Sequence, residues 1–241
     1  MSKKLDLIQY YQTDPKWKNH DYSAKGEKTT IGAEGCGTTC AAMIIATLAD
    51  KKVTPVTTSE WSKQNGFKAL RQGTYYSYFK PQFAEYGIKC EMMNSKNVYH
   101  DKNAKVHKEV RKALEEGDLV IVVFGVGEYT NSGHYAIIQE LDGDKVIIKD
   151  PWNKKPNLLK KNFDEVVYQV KYYWRVYVPE KYKEVKYMVE NINIEVDGLD
   201  YTVQAINQDG YNFVKVRDLA VICGFDVSNE GKNPILKKKN K

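Results

Sequence analysis

The sequence has 241 residues, of which 42% are hydrophobic and 28% charged, the balance of a globular protein with room for one sizeable core and a small second module. No stretch approaches the roughly 18 apolar residues that a membrane helix needs, so membrane insertion is not expected. The four cysteines are too few and scattered for a disulfide framework, and with the four histidines they show no zinc-ligand spacing, so no metal or other cofactor is expected.

The net charge of +6 is unevenly distributed. Residues 187–241 hold 7 Lys and Arg against 8 Asp and Glu, so the positive excess lies in residues 1–186. A basic body is attracted to an anionic polymer, and nucleic acid and the bacterial wall both qualify. Charge alone does not choose between them, but no nucleic-acid-binding motif is present.

The N-terminus lacks the apolar stretch and the small-residue cleavage site of a signal peptide. Residues 1–9 carry charge and then run into polar and aromatic residues. We therefore expect synthesis in the cytoplasm, with any action outside the cell depending on another export route or on lysis.

The first half of the chain predicts helices. Residues 37–48 are small and apolar on most faces, which favours a helix of about three turns buried in the core. A second helix is expected to start at Thr58-Ser59, where Ser59 can cap, and to end near Gly66.

Two more helices follow. One is predicted over residues 76–86. Residues 105–116 place their apolar side chains on one stripe of a surface helix closed by Gly117, and His107 lies off that stripe.

The period then changes to that of strands. Residues 118–124 and 134–141 are short apolar runs of strand character. The pair Gly143-Asp144 predicts a hairpin turn into a strand over 145–150, and a further strand is expected over 166–178. Helices first and antiparallel strands afterwards indicate an α+β fold.

Residues 179–186 are charged, contain a proline and show weak periodicity, so they are the best linker candidate. They would join a larger domain at 1–178 to a small α+β module at 187–241. In that module, Asp-Gly turns separate short strands, a short helix is expected over 217–223, and the lysine-rich tail 237–241 is expected to fray.

Cys36 is the candidate nucleophile. A cysteine reacts as its thiolate, and Cys36 lies between two glycines where a polar loop meets the predicted buried helix. The first turn of a helix carries unpaired N–H groups and the positive end of the dipole, and both favour a thiolate. Gly35 and Gly37 let a substrate backbone approach closely. Cys40, one turn deeper, is expected to be a buried structural thiol. A small residue that fills a tight junction is the alternative interpretation of Cys36.

His134 is the candidate base. It begins a predicted strand directly after a glycine-bearing loop, from which an imidazole can project toward the helix terminus. His107 lies on a surface helix, and His20 and His100 lie in polar loops, so these three are less suited. A structural histidine at a strand start is the alternative.

Asp150 is the candidate group that orients the base. It ends the strand paired by the hairpin with the one that His134 begins, and in an antiparallel pair these ends lie side by side. A carboxylate there fixes the tautomer and stabilises the imidazolium. A turn residue before Pro151 is the alternative. The backbone N–H of Cys36 is one oxyanion donor, and the side-chain amide of Gln12 is the candidate for the second.

Four short segments of the sequence are informative because of the order in which they occur. They are Tyr10-Tyr11-Gln12-Thr13-Asp14-Pro15-Lys16-Trp17, Gly35-Cys36-Gly37-Thr38-Thr39, Gly133-His134-Tyr135-Ala136-Ile137-Ile138 and Ile148-Lys149-Asp150-Pro151-Trp152. In this order they resemble the C39-like branch of the papain-like cysteine peptidases, over about residues 7–178. The resemblance implies a papain-like cysteine hydrolase domain, in which the helix that carries the nucleophile packs on an antiparallel sheet.

The same resemblance implies roles for single residues. It implies Cys36 as nucleophile, His134 as base, Asp150 as the third member and Gln12 as oxyanion donor. Thr38 departs from the family, which often has proline after Cys-Gly; a capping threonine is expected to preserve the helix start.

The C-terminal part carries a shorter resemblance. Its residues are Val196-Asp197-Gly198, Tyr201-Thr202-Val203, the run from Asn212 to Ala220, and Gly224-Phe225. They are similar to the small modules that follow wall-degrading domains in clostridial phage endolysins and autolysins, and to the N-terminal domain of copper amine oxidases. The similarity implies cell-wall binding and no oxidase chemistry.

Together the two resemblances imply a bacteriophage endolysin that is made in the host cytoplasm and released at lysis. Such an enzyme hydrolyses an amide bond in the peptidoglycan of a Gram-positive wall through an acyl-enzyme, as an endopeptidase or as an N-acetylmuramoyl-L-alanine amidase. Nucleic acid is not an expected partner, and the sequence does not predict an oligomeric state. The aromatic candidates for lining the groove, each with core packing as the alternative, are Trp61, Tyr75, Tyr76 and Trp152.

Two other functions stay open at this stage. One is an intracellular cysteine peptidase that processes leader peptides, although no transporter region accompanies it. The other is a wall-binding protein with an inactive hydrolase domain, against which the intact set of four catalytic candidates argues.

Overall fold

The computed structural model describes residues 5–183, 189–208, 210–230 and 233–239. The chain divides into two compact units, residues 1–184 and 185–241. No helix in the described ranges is both long and apolar enough to cross a bilayer.

Six antiparallel strands form the central sheet of the first unit, in the order β1-β6-β2-β3-β4-β5. The strands are β1 Cys90–Met92, β2 Leu119–Phe124, β3 His134–Asp142, β4 Lys145–Lys149, β5 Lys160–Asn162 and β6 Val170–Val176. The hairpin between β3 and β4 turns at Gly143, where φ is 61°, as predicted from the Gly-Asp pair.

Seven helices accompany this sheet within the described part of the first unit. They are α1 Ile31–Glu34, α2 Cys36–Leu48, α3 Pro55–Gln64, α4 Phe79–Ala84, α5 Val106–Glu115, α6 Pro156–Leu159 and α7 Phe163–Val167. Along β2, alternate side chains enter two separate buried clusters, because successive residues of a strand point to opposite faces. The sheet is therefore covered on both sides, and the predicted α+β class with an antiparallel sheet is confirmed.

Helix α2 is the central helix, and it packs against β3. Eleven of its 13 residues are buried, since small and apolar side chains cover most of its faces. The helix begins at Cys36 and ends at Leu48, within one residue of the predicted start. The expected cap is wrong: the Thr38 hydroxyl donates to the Gly35 carbonyl (3.1 Å) and bonds Ser59 Oγ (2.7 Å), so it holds α2 against α3 instead of capping a free N–H.

Helix α3 starts earlier than the sequence indicated. It begins at Pro55, a residue suited to the first helical position because it has no N–H to satisfy. The Thr57 hydroxyl accepts from the backbone N–H of Thr54, 3.2 Å away. Ser59, the expected cap, lies buried inside the helix.

Two other predictions need correction. The helix expected over 76–86 forms only from Phe79 to Ala84. The strand expected over 166–178 is divided into helix α7 and strand β6, because the side chain of Asn162 accepts from the N–H of Asp164, 2.9 Å away, and starts a helical turn.

The second unit holds a three-stranded antiparallel sheet, a helix and a hairpin. These are β7 Val189–Val196, β8 Leu199–Gln208, β9 Tyr211–Val214, α8 Val216–Ile222, β10 Phe225–Glu230 and β11 Asn233–Lys238. The predicted Asp-Gly turn between β7 and β8 forms with positive φ at both residues, as a two-residue hairpin requires. The expected fraying of 237–241 is wrong for Lys237 and Lys238, which pair in β11; residues 240–241 lie outside the described ranges.

The predicted linker, 179–186, is described only in part. Its first residues contact the first unit: the Tyr182 hydroxyl bonds the Leu48 carbonyl at 3.4 Å, and Lys183 pairs with buried Asp118 at 3.0 Å. Residues 184–186 lie outside the described ranges.

Candidate active site

The hairpin of β3 and β4 brings a histidine and an aspartate together. His134 is the first residue of β3, and Asp150 directly follows β4. His134 Nε2 lies 2.7 Å from Asp150 Oδ1, and this bond leaves Nδ1 for Cys36. Cys36, the first residue of α2, is half-buried, and its interaction with the imidazole helps to raise the pKa of His134. The structure thus brings together the three residues that the sequence put forward.

The electrostatics of this cluster favour a charged imidazole. Burial alone lowers the pKa of His134, but hydrogen bonds to Asp150 and Cys36 outweigh it and raise the pKa to about 10. Burial likewise opposes ionisation of Asp150, but hydrogen bonds from His134 and Asn153 hold its pKa below the usual value. His134 therefore carries a proton at neutral pH.

The carboxylate of Asp150 is fixed by the turn that follows it. Its Oδ1 accepts from the backbone N–H groups of Trp152 (2.7 Å) and Asn153 (2.8 Å), and its Oδ2 accepts from Asn153 Nδ2 (2.8 Å). Asn153 Nδ2 also reaches the Tyr129 carbonyl at 3.4 Å. Asn153 was not singled out from the sequence, although an Asp followed three residues later by Asn after a proline is typical of such a turn.

The N-terminal segment contacts both the turn after β4 and the residues just before the nucleophile helix α2. Gln9 Nε2 donates to the Asp150 carbonyl (3.0 Å), and the Gln12 N–H donates to the Pro151 carbonyl (2.9 Å). Gln12 Nε2 donates to the Gly32 carbonyl at 3.0 Å and lies 3.5 Å from the Ile31 carbonyl. The second contact is at the long limit for a hydrogen bond, and Gln12 Oε1 is buried without a hydrogen-bond partner among the residues that the structure describes.

A cleft of about 840 Å³ contains the cluster. Gln12, Cys36 and His134 line it, together with Trp152 and Tyr76, which are exposed by 51% and 42%. Loop residues 127–133 between β2 and β3 line the cleft on one side, and residues 71–74 line it as well. Sequence patterns did not indicate either loop, because both lie between regular elements.

Other predicted substrate-binding residues are not among the described lining residues. Trp61 stacks on Phe67, with ring centroids 5.5 Å apart, and packs on the core, so the core-packing interpretation holds for it. Tyr75 is exposed outside the cleft. Gly35 is buried ahead of α2. An alanine Cβ at Gly37 would lie 2.2 Å from Thr74 Oγ1, so this glycine admits Thr74 instead of a substrate.

Buried charges hold the loop before Thr74. Lys68 has a side chain only 2% exposed, and its Nζ lies 2.6 Å from Glu27 and 2.7 Å from Glu34. The same Nζ donates to the carbonyls of Ala69 and Gln72. Loop 69–72 is thereby fastened to α1, which directly precedes the nucleophile helix.

The remaining thiols and histidines lie elsewhere. Cys40 is fully buried, as predicted, and burial raises the pKa of its thiol. His107 is buried against Tyr173, so its expected position on an exposed face of α5 is wrong. The Tyr173 ring covers this histidine although it lies outside the apolar stripe of the helix. Within the described ranges, no three His, Cys, Asp or Glu side chains group as a metal site requires.

Comparisons with known proteins agree with this chemistry. The sequence pattern of the Peptidase_C39 like family matches residues 5–181, well over half of the chain. A search of curated proteins finds no significant match. Among solved structures, the chain is similar to the crystal structure of a candidate C39-like peptidase from Bacillus anthracis, with a TM-score of 0.39 and 15% identity, covering 60% of this chain and 89% of that chain. That likeness carries no argument by itself.

Proposed function

This chain belongs to the Peptidase_C39 like family and is therefore a cysteine hydrolase, and we propose that it cleaves an amide bond in the peptide part of bacterial peptidoglycan. The observation that carries the proposal is the Cys36–His134–Asp150 cluster, whose cysteine and histidine line a cleft of about 840 Å³. A polymer chain needs a groove, because a closed pocket admits only small ligands.

The proposed reaction proceeds through a papain-like acyl-enzyme. Sγ of Cys36 attacks the amide carbonyl carbon, and the C–N bond breaks as His134 gives its Nδ1 proton to the leaving nitrogen. Nδ1 of His134 then takes a proton from water, which attacks the thioester carbon. The C–S bond breaks, and the acid and the Cys36 thiolate are released. The N–H of Cys36 and the side-chain amide of Gln12 are the proposed oxyanion donors. The cut lies between two amino acids or between muramic acid and L-alanine, since both need these same groups.

The second unit is the proposed wall-binding module, similar to those of phage endolysins. One face of its sheet supports this role, since the side chains on alternate positions of the three strands are exposed and mostly uncharged. They include Asn191, Asn193, Thr202, Gln204, Tyr211 and Phe213. Amide and hydroxyl groups next to exposed aromatic rings suit a sugar polymer, which offers hydroxyl groups and apolar ring faces.

Clearing of a Gram-positive wall suspension tests the catalytic proposal. The protein is expected to clear the walls, Cys36→Ala to abolish clearing, and Cys40→Ala to preserve it, since Cys40 is remote from substrate. Mass analysis of the released fragments identifies the bond. Clearing that survives Cys36→Ala contradicts the proposal, and so does an absence of wall fragments from a protein that cuts other peptides, which would favour a processing peptidase.

Binding to insoluble walls tests the module in the full chain. A Tyr211→Ala, Phe213→Ala double variant on the Cys36→Ala background is expected to sediment less with walls than its parent. Unchanged sedimentation contradicts a wall-binding role for this face.

A further inference from the structure

Arg71, in the cleft wall, has a backbone conformation that residues other than glycine rarely adopt. Its φ is 55°, in the left-handed region where the Cβ of an L-residue crowds the following carbonyl oxygen. Such strain persists only where the surroundings hold it, and it concentrates at functional sites.

Two buried side chains hold this conformation. Glu27 accepts from the backbone N–H of Arg71, and its other carboxylate oxygen lies 2.6 Å from Lys68 Nζ. Lys68 in turn donates to the carbonyls of Ala69 and Gln72, which bracket the Leu70-Arg71 pair. The loop is thus fastened from within, while the Arg71 side chain is exposed and lines the cleft.

The acidic side chains that line the cleft are neutralised by ion pairs, whereas two of its basic side chains are not. Its two glutamates are paired, Glu34 with Lys68 at 2.7 Å and Glu128 with Lys161 at 2.7 Å. Its two cations other than the catalytic imidazole, Arg71 and Lys171, form no ion pair with any residue that the structure describes. The cleft therefore offers positive charge to whatever enters it.

We propose that Arg71 binds a free carboxylate of the substrate, so that the cleft selects an acidic peptide. A guanidinium matches a carboxylate with two parallel hydrogen bonds. The buried contacts of Glu27 and Lys68 fix the backbone from which the Arg71 side chain extends. This inference rests on the proposed function, because in a wall peptide the acidic group is the free α-carboxylate of a γ-linked glutamate.

Binding to a catalytically inactive protein tests the inference independently of hydrolysis. The probes are L-alanyl-γ-D-glutamyl-L-lysyl-D-alanine and the same peptide with the glutamate α-carboxylate converted to a carboxamide. We expect Cys36→Ala protein to bind the acid about 5–10-fold more tightly than the amide, the modest range of a solvent-exposed charged pair. The preference is expected to shrink at high salt.

Variants of Arg71 on this background give the discriminating result. Arg71→Gln and Arg71→Gly are expected to abolish the preference, and Arg71→Lys to keep part of it. Because glycine adopts the left-handed conformation without strain, Arg71→Gly is expected to melt no lower than its parent, which separates lost recognition from lost folding. Arg217→Gln, which removes an exposed arginine of the second unit, is the matched control for charge and is expected to change nothing.

Four results overturn the inference. They are equal binding of the two peptides, no binding by the parent, an unchanged preference in Arg71→Gln, and a preference that Lys171→Gln abolishes while Arg71→Gln does not. If the preference is found but active protein releases no wall fragments, the carboxylate site stands and the proposed function fails.

Discussion

His134 Nε2 and Asp150 Oδ1 are 2.7 Å apart, and the two residues come from the open end of one hairpin. The bond fixes which imidazole nitrogen faces Cys36. It also places a buried negative charge beside the ring, which keeps the ring protonated at neutral pH.

Asp150→Asn is expected to lower kcat by about 10²–10⁴-fold, because an amide neither stabilises the imidazolium nor fixes its tautomer. The pKa of His134 should fall from about 10, since the hydrogen bond to a carboxylate is its main support. Activity assays and an NMR titration of the His134 ring measure the two effects. Asp144→Asn, on the exposed turn of the same hairpin, is the control and should change neither; an unshifted His134 titration in Asp150→Asn contradicts the prediction.

The same pair makes folding stability depend on pH in a defined direction. The raised pKa of His134 gives stability that is complete below about pH 6.5 and is lost as pH rises through about 10. The lowered pKa of Asp150 gives stability present above about pH 4 that is lost on acidification. Urea unfolding should therefore show the largest gap between wild type and Asp150→Asn from about pH 4 to 6.5. A gap that widens from pH 7 to 10 contradicts this assignment.

Asn153→Ala is expected to lower kcat by about tenfold, the order of effect of losing a group that orients a site residue. Its side chain donates to Asp150 Oδ2 at 2.8 Å but does not line the cleft, so KM should change little. The pH profile should also shift, because the pKa of Asp150 loses one of its supports. Asn103→Ala, on an exposed turn, serves as the control. A change confined to melting temperature would mean a purely structural role.

Native-state alkylation should separate the four cysteines into two pairs. Cys36 is half-buried and Cys223 exposed, whereas Cys40 and Cys90 are buried and burial raises the pKa of both thiols, that of Cys90 to about 12. Iodoacetamide at neutral pH should therefore modify only the first pair until denaturant is added. In Cys223→Ser, modification of the single fast thiol should parallel the loss of activity. Rapid labelling of Cys40 in the native protein would contradict the burial of α2.

Lys68→Met is expected to destabilise the protein by about 3–5 kcal/mol, because it leaves the carboxylates of Glu27 and Glu34 without their cation. The hydrogen bond from Lys68 lowers the pKa of Glu27 to about 2, so this contribution is present above about pH 4.3 and is lost as pH falls further. Lys63→Met, which removes a more exposed pair with Asp21, should cost at most about 1 kcal/mol. Equal effects of the two variants in urea unfolding would contradict the central role of Lys68.

The sequence was sufficient to predict the features that depend on residues close together along the chain. The apolar run of α2, the glycine-flanked Cys36 and the hairpin that carries His134 were all predicted at nearly their observed positions. The membership in the C39-like family is confirmed as well. The structural predictions rest on a periodicity or a turn that a few residues specify by themselves, whereas the family membership rests on four segments in a fixed order.

Features that arise from contacts with other parts of the chain could not be predicted from the sequence. His107 is buried because Tyr173, far along the chain, covers it. Trp61 packs against the core beside the buried ring of Tyr78, with ring centroids 6.2 Å apart. The strained loop around Arg71 depends on ion pairs from Glu27 and Lys68 across about 40 residues, and no local pattern encodes that arrangement.

The ion pair between Lys183 and Asp118 determines where the first unit can be joined to a different C-terminal module. Asp118 is fully buried, and it is held by Arg175, by Lys183 and by the N–H of Val178. A chimera joined after residue 178 would discard one of these cations and strip the Tyr182 contact from α2. A junction after Lys183 keeps both, so engineered enzymes that borrow this hydrolase should retain the chain through Lys183.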